Sequence, residues 1–279
     1  MEIRQINLYE YYGQPREDYA TGNLTCWLPY VTAGMRQSRR RPAILVIPGG
    51  GYRFVSDREG EPIAMRFLVR GYAAFMLEYS VAPAKFPTAL REAAMAMRYI
   101  REHAEEFAVD PQMVAAVGFS AGGHLCGTLG TMYDCPEVAD IAAAEVIRPN
   151  ALGLSYPVTV SRGKTHNGSF ENISGGDEAL RDRLSMDKLV RPDMPPVFLW
   201  HTRTDATVPC RGSLLLAAAL EDADVDFALH MYRFGKHGLS TANDQTYKVQ
   251  EVPPISKDVP GWLDAMMEFF ADCGLKNQD

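Results

Sequence analysis

The sequence predicts an α/β fold, a mostly parallel, twisted sheet with helices on both faces. Three observations predict it. Apolar runs of strand length recur at residues 43–47, 73–77, 114–117, 151–154, 197–200 and 227–232, and their starts lie 30, 41, 37, 46 and 30 residues apart. Each gap has room for a helix, the spacing of strand–helix–strand units. The runs are near-continuously apolar rather than alternating, as strands covered on both faces are. Between two of them, Leu90, Ala93, Met97, Ile100, Ala104 and Phe107 fall at spacings of 3, 4, 3, 4 and 3, one apolar stripe of an amphipathic helix.

In chain order, residues 21–31 read as a leading strand antiparallel to the rest. The strand 43–47 runs into Pro48-Gly49-Gly50-Gly51-Tyr52. Ser56-Asp57-Arg58-Glu59 has the form of a capping box, but Pro62 would then lie inside the helix. A helix over 61–70 is therefore expected, with Pro62 near its first position and Gly71 just beyond its end. The striped helix spans Pro87 to Phe107, with Pro87 in the first turn and Arg91, Arg98, Arg101, Glu102 and Glu105 on its other faces. Asp110-Pro111 ends that unit before the next strand. Two further apolar helices are expected over 214–220 and 262–270.

The least regular stretch is 156–196, which holds Gly163, Gly168, Gly175-Gly176, Pro192 and Pro195-Pro196 and a single helix candidate at 177–190. Structureless length in a compact domain is usually functional. It reads as a cap or substrate-facing insertion, with a passive surface excursion as the alternative. No repeat or interdomain linker is visible, so residues 1–279 are expected to form one domain.

Composition excludes several classes. The net charge is −7 and the pI near 5.4, which argues against a nucleic-acid partner. The short Arg39-Arg40-Arg41 run reads as a solvated loop edge. No apolar stretch approaches the ~20 residues of a membrane span, and Met1-Glu2-Ile3-Arg4-Gln5 opens no signal-peptide core. A cytoplasmic protein with no membrane partner is expected. The five cysteines show no C-x-x-C spacing and read as free thiols. The six histidines lie singly, so neither a metal nor another cofactor is expected. Oligomeric state is not legible.

The chemistry centres on Gly118-Phe119-Ser120-Ala121-Gly122, which follows the apolar run 113–117 and precedes a helix-compatible run, 124–132. G-x-S-x-G between strand and helix is the context of a nucleophile elbow. A serine hydroxyl is a weak nucleophile and needs a base, which in turn needs an orienting group. Two downstream positions fit in the order Ser, Asp, His. Asp205 follows the strand 197–200 through His201-Thr202-Arg203-Thr204. His237, within Phe234-Gly235-Lys236-His237-Gly238, follows the strand 227–232. Ser120, Asp205 and His237 thus fall in loops on one sheet edge, where sites of open α/β sheets form. Each has a plainer reading: a chance motif, a helix cap and a loop histidine. His201 and His124 read as packed or supporting residues, while His103 and His166 have no evident partner.

Acyl transfer also needs donors for the oxyanion of its tetrahedral intermediate. The backbone amides of Gly50, Gly51 and Ala121 are the candidates. A phosphate cradle is the rival for a glycine-rich loop, but neither G-x-x-x-x-G-K-[ST] nor G-x-G-x-x-G occurs.

These motifs resemble α/β-hydrolases of the esterase/lipase class, especially the bacterial carbohydrate esterases that include acetyl-xylan and feruloyl esterases. The resemblance rests on Pro48–Tyr52, Tyr79-Ser80-Val81-Ala82-Pro83, Gly118–Leu125, Ser155-Tyr156-Pro157-Val158, His201–Asp205 and His237-Gly238-Leu239, and covers the chain from about Arg41 onward. One departure is Pro48, where the family often has the histidine of His-Gly-Gly-Gly. The resemblance implies an α/β-hydrolase fold and a serine esterase removing short acyl groups, acetyl above all, from carbohydrate or similar small esters. It also implies that Tyr52 and Tyr156 line the pocket. A peptidase or aminoacyl-hydrolase on the same scaffold, and an inactive hydrolase-fold binding protein, are the alternatives.

Overall fold

The computed structural model describes residues 1–32, 40–247 and 255–276. Its strands are β1 (Glu2–Asn7), β2 (Asn23–Leu28), β3 (Arg41–Ile47), β4 (Ala73–Glu78), β5 (Val109–Phe119), β6 (Leu152–Ser155), β7 (Val197–Thr202) and β8 (Phe227–Tyr232). They form one sheet in the order β1-β2-β4-β3-β5-β6-β7-β8. β2 pairs antiparallel with both β1 and β4, and the remaining neighbours pair in parallel. The helices are α1 (Leu8–Tyr12), α2 (Glu61–Val69), α3 (Thr88–Glu102), α4 (Ala121–Thr131), α5 (Ala144–Ile147), α6 (Asn167–Ser174), α7 (Glu178–Arg183), α8 (Met186–Leu189), α9 (Arg211–Asp222) and α10 (Trp262–Asp272).

The continuous apolarity of the inner strands has the expected consequence. Ala43, Leu45 and Ile47 of β3 enter one core with α3, α4 and α9, while Ile44 and Val46 enter a second with α2 and α10. All five are fully buried, worth about 1.5–3 kcal/mol for each large aliphatic side chain. The α3 stripe is buried along its whole length, through the turn that carries Ala104 and Phe107. α2 starts at Glu61 as expected, and Asp57–Glu59 forms a separate 3-10 turn whose Ser56 makes no side-chain cap.

Three features differ from the sequence reading. β1 was not anticipated: its largely polar residues are exposed or half-buried at the sheet edge, and only Ile6 packs against the core. Asp110-Pro111 does not precede β5 but lies within it. Arg41 pairs with Val109 while Ala43 pairs with Val114, so residues 110–113 bulge. A bulge accommodates a proline that cannot donate to the ladder. The stretch 156–196 contains three short helices, α6, α7 and α8, rather than one at 177–190. Asp177 caps α7 with its side chain, and Ser185 breaks the run before α8. Arg39 of the arginine run lies outside the described residues, and Arg41 opens β3. Among the described residues, no helix is long and apolar enough to cross a membrane.

Candidate active site

The parallel strands deliver their C-terminal ends to one rim. β5 ends at Phe119, and the chain turns through Ser120 into α4. Ser120 takes φ 54°, ψ −116°, a costly region for a residue with a side chain and the expected geometry of an elbow. The flanking glycine is obligatory: a Cβ at Gly122 would lie 2.2 Å from the carbonyl oxygens of Ile47 and Pro48.

The three candidate residues meet. His237 Nε2 lies 2.8 Å from Ser120 Oγ, and its Nδ1 lies 2.6 Å from Asp205 Oδ2. A carboxylate only accepts, so Nδ1 carries the proton and Nε2 is left to accept from the serine hydroxyl. Asp205 also acts as a turn cap, since its Oδ1 accepts from the amides of Thr207 and Val208, both at 2.9 Å. Cap and relay readings thus hold at once.

His201, fully buried in β7, completes this shell. Its Nε2 is 2.9 Å from the Val208 carbonyl and 3.2 Å from Asp205 Oδ2, and its Nδ1 is 2.8 Å from Ser213 Oγ. A carbonyl cannot donate, so His201 Nε2–H is the donor and Asp205 receives four hydrogen bonds. Burial alone would raise the Asp205 carboxyl. The bonds from His201 and His237 outweigh it and hold the group well below the usual carboxylate range.

The loop after β3 supplies the other half of the site. Gly50 and Gly51 have φ of 130° and 67°, and a Cβ on Gly50 would lie 1.8 Å from the Phe54 carbonyl oxygen. Hence only glycine fits there. The loop is fixed without the histidine that Pro48 replaces. Tyr79 OH donates to the Pro48 carbonyl at 2.9 Å, Gly49 N–H donates to Glu59 Oε2 at 2.9 Å, and Asn172 Nδ2 donates to the Gly51 carbonyl at 2.9 Å. The amides of Gly50, Gly51 and Ala121 donate to no protein group among the described residues.

Tyr52 and Tyr156 do not line the pocket. Both are almost wholly buried. Tyr52 OH bonds His124 Nδ1 at 2.8 Å, and His124 Nε2 donates to the Leu184 carbonyl at 2.8 Å. Burial lowers the His124 pKa to about 4, which keeps the ring neutral. Tyr156 OH donates to Glu59 Oε1 at 2.7 Å and accepts from Ser240 N–H at 2.9 Å, while its ring backs His237 edge-on at a centroid distance of 5.1 Å. Both tyrosines therefore support the site from behind. His103 lies far from it, stacked on Phe107 and bonded to Tyr11 OH.

The cavity in front of Ser120 and His237 has a volume of about 790 Å³. The loop 50–59 forms one wall, including Arg53, Arg58 and Glu59. His166, Gly168, Glu171 and Asn172 from the start and middle of α6 form another. Sequence reasoning missed Glu59 and His166. Glu59 acts through Tyr156, 97 residues away, and His166 reaches the cavity only through the fold, so no local pattern marks either. Among the described residues, no group of three or more His, Cys, Asp or Glu is placed to hold a metal ion.

Comparison with known proteins agrees with this geometry. Two family profiles match: BD-FAE over residues 30–148 and the prolyl oligopeptidase family over residues 91–253. The solved acetyl ester-xyloside bifunctional hydrolase of Caldicellulosiruptor lactoaceticus is 31% identical with a TM-score of 0.82, and the alignment covers 98% of this chain and 97% of that one. A carboxylesterase from Lactobacillus plantarum is 25% identical with a TM-score of 0.85 over 100% of both chains. Among curated proteins, endo-1,4-beta-xylanase B of Butyrivibrio fibrisolvens is 39% identical over 75% of this chain, and the acetylxylan esterase of Xylanibacter ruminicola is 26% identical over 88%. The matched segments span 34% and 48% of those two proteins, so the chain corresponds to only part of each. With full-length agreement to solved hydrolases and an elbow serine on the expected rim, the chain belongs to the α/β-hydrolase superfamily, in its esterase class.

Proposed function

We propose that this chain is a serine esterase that removes short acyl groups, acetyl first among them, from carbohydrate hydroxyls. The relay Ser120–His237–Asp205 at the rim of an open cavity carries the reading. In this mechanism Ser120 Oγ attacks the ester carbonyl as His237 Nε2 takes its proton. The oxyanion that forms is met by the amides of Gly50, Gly51 and Ala121, each such donor being worth about 10²–10³ in rate. His237 then protonates the departing alcohol, leaving an acyl-Ser120. Water attacks that ester with His237 again as base, which releases the acid and restores the serine. Asp205, held by four donors, keeps the proton on His237 Nδ1 throughout.

The carbohydrate part rests on the polar side chains that the cavity offers, Arg53, Arg58, Glu171 and Asn172 among them, and on the relatives named for acetylxylan and xyloside chemistry. The same reading makes 156–196 a substrate-facing insertion of one domain, supported by the α6 residues in the cavity wall. A peptidase or aminoacyl-hydrolase is the second reading, favoured by the prolyl oligopeptidase match. An acidic pair that binds a free amine would favour it: both Glu59 oxygens are taken by Gly49 N–H and Tyr156 OH, but Asp57 and Glu171 also line the cavity, so the substrate panel decides.

Rates on acetylated xylo-oligosaccharides, feruloyl esters, aryl acetates and aminoacyl-nitroanilides separate the readings. The proposal expects the highest kcat/KM on the acetylated oligosaccharides. A preference for aminoacyl-nitroanilides would transfer the chain to the second reading.

A further inference from the structure

His166 stands at the N-terminus of α6 and does two things with its ring. Nδ1 receives the Ser169 backbone N–H at 3.2 Å and lies 2.8 Å from Ser169 Oγ, capping the helix. A backbone N–H can only donate, so Nδ1 is an acceptor and the neutral ring carries its proton on Nε2. Nε2–H has no protein partner among the described residues, and the ring lines the cavity with Ser120 and His237. The ring edge is close to the oxyanion loop, with Cε1 3.4 Å from where a Cβ on Gly51 would lie. Burial and the charge of His237 both lower the His166 pKa, so the ring stays an uncharged donor.

The ring is held firmly. Arg181 donates to the Ser161 carbonyl at 2.7 and 2.9 Å and to Asn167 Oδ1 at 2.5 Å, which anchors the loop before α6. Asn172 ties the same helix to Gly51. A fixed, neutral N–H donor beside a nucleophile discriminates between alcohols that can and cannot accept from it.

We propose that His166 Nε2–H is a specificity determinant, donating to a hydroxyl oxygen on the alcohol portion of the ester, one carbon removed from the scissile C–O carbon. This rests on the esterase reading above and deepens it toward esters of vicinal diols, the chemistry of partly acylated sugars. A role in the oxyanion site is the competing assignment for the same donor, and the test separates them.

The test uses two esters of equal heavy-atom count, 2-hydroxyethyl acetate and propyl acetate, which differ only in OH against CH₃. The variant is His166→Asn. Asparagine is among the best N-cap residues, so the helix keeps its cap, while its shorter side chain withdraws the donor from the place that Nε2–H occupies in the cavity. His166→Ser, an equally good cap with no NH₂ group, should give the same fall. The expected result is a fall of roughly 3- to 10-fold in the parent's selectivity ratio for the hydroxyl ester, the scale of one neutral hydrogen bond, carried mainly by KM. His166→Gln, which can return an N–H to the cavity, should recover part of the ratio. Parallel losses on both esters, or an unchanged ratio, overturn the proposal in favour of an oxyanion or structural role. A parent enzyme that hydrolyses both acetates without preference also overturns it but leaves the esterase reading standing. A parent that hydrolyses neither removes both.

Discussion

Replacement of Asp205 by asparagine probes the relay at the point where its geometry is most determined. The carboxylate accepts four bonds: the amides of Thr207 and Val208 on Oδ1, and His201 Nε2 and His237 Nδ1 on Oδ2. An asparagine oxygen must stay with the two loop amides, which cannot turn away. The amide NH₂ then faces the histidines. His201 loses little, because its Nε2–H retains the Val208 carbonyl. His237 cannot keep a proton on Nδ1 against another donor, so the proton shifts to Nε2, the nitrogen that must receive from Ser120. The enzyme then rests in the wrong tautomer. Loss of this orientation costs about 10⁴-fold in kcat in triad hydrolases, equivalent to about 5 kcal/mol of barrier. Initial rates with p-nitrophenyl acetate, alongside denaturant unfolding, measure it. A folded Asp205→Asn protein within tenfold of the parent would refute the tautomer argument.

Other predictions rest on the buried network behind the site. Glu59→Ala strands Gly49 N–H and leaves Tyr156 OH without an acceptor. At about 1–3 kcal/mol for each buried unpaired group, unfolding should be easier by several kcal/mol in urea, with turnover reduced as the glycine loop loses its tie. Parental stability would contradict that account. Glu92 is buried among Tyr9 and Ser80, and burial raises its carboxyl to about 7 despite hydrogen bonds from Ser80 and Tyr9. A raised folded pKa stabilises fully below the unfolded value, and the contribution is lost as pH rises through about 7, by about 3 kcal/mol at most. Glu92→Gln does not titrate, so its unfolding free energy should gain on the parent's between pH 5 and 8. A pH-independent difference would contradict this.

Much of this arrangement is legible in the chain because it is written locally. The six parallel strands announce themselves by their apolar runs, α3 by its stripe, and Ser120, Asp205 and His237 by their positions just past β5, β7 and β8. What escapes the sequence depends on partners far apart. Glu59 joins Gly49 to Tyr156, 97 residues away, and Tyr52 reaches His124, 72 residues away. Aromatic residues beside a motif look like pocket walls until packing shows their hydroxyls turned inward. The helices of 156–196 are too short for a periodic signal, and β1 is a polar edge. His166 looks like a stray loop residue because histidine is an uncommon helix cap and its place beside Gly51 exists only once the insertion folds back over the glycine loop.

The central claim is that the elbow serine is the nucleophile, activated by the imidazole of His237. Reaction of the folded protein with a fluorophosphonate, followed by intact mass and peptide mapping, tests it most directly. The account predicts one adduct per chain, on Ser120, absent in Ser120→Ala and slow to form in Asp205→Asn. Parent-like ester turnover by Ser120→Ala, or a probe that modifies another residue while Ser120 remains free, would contradict it.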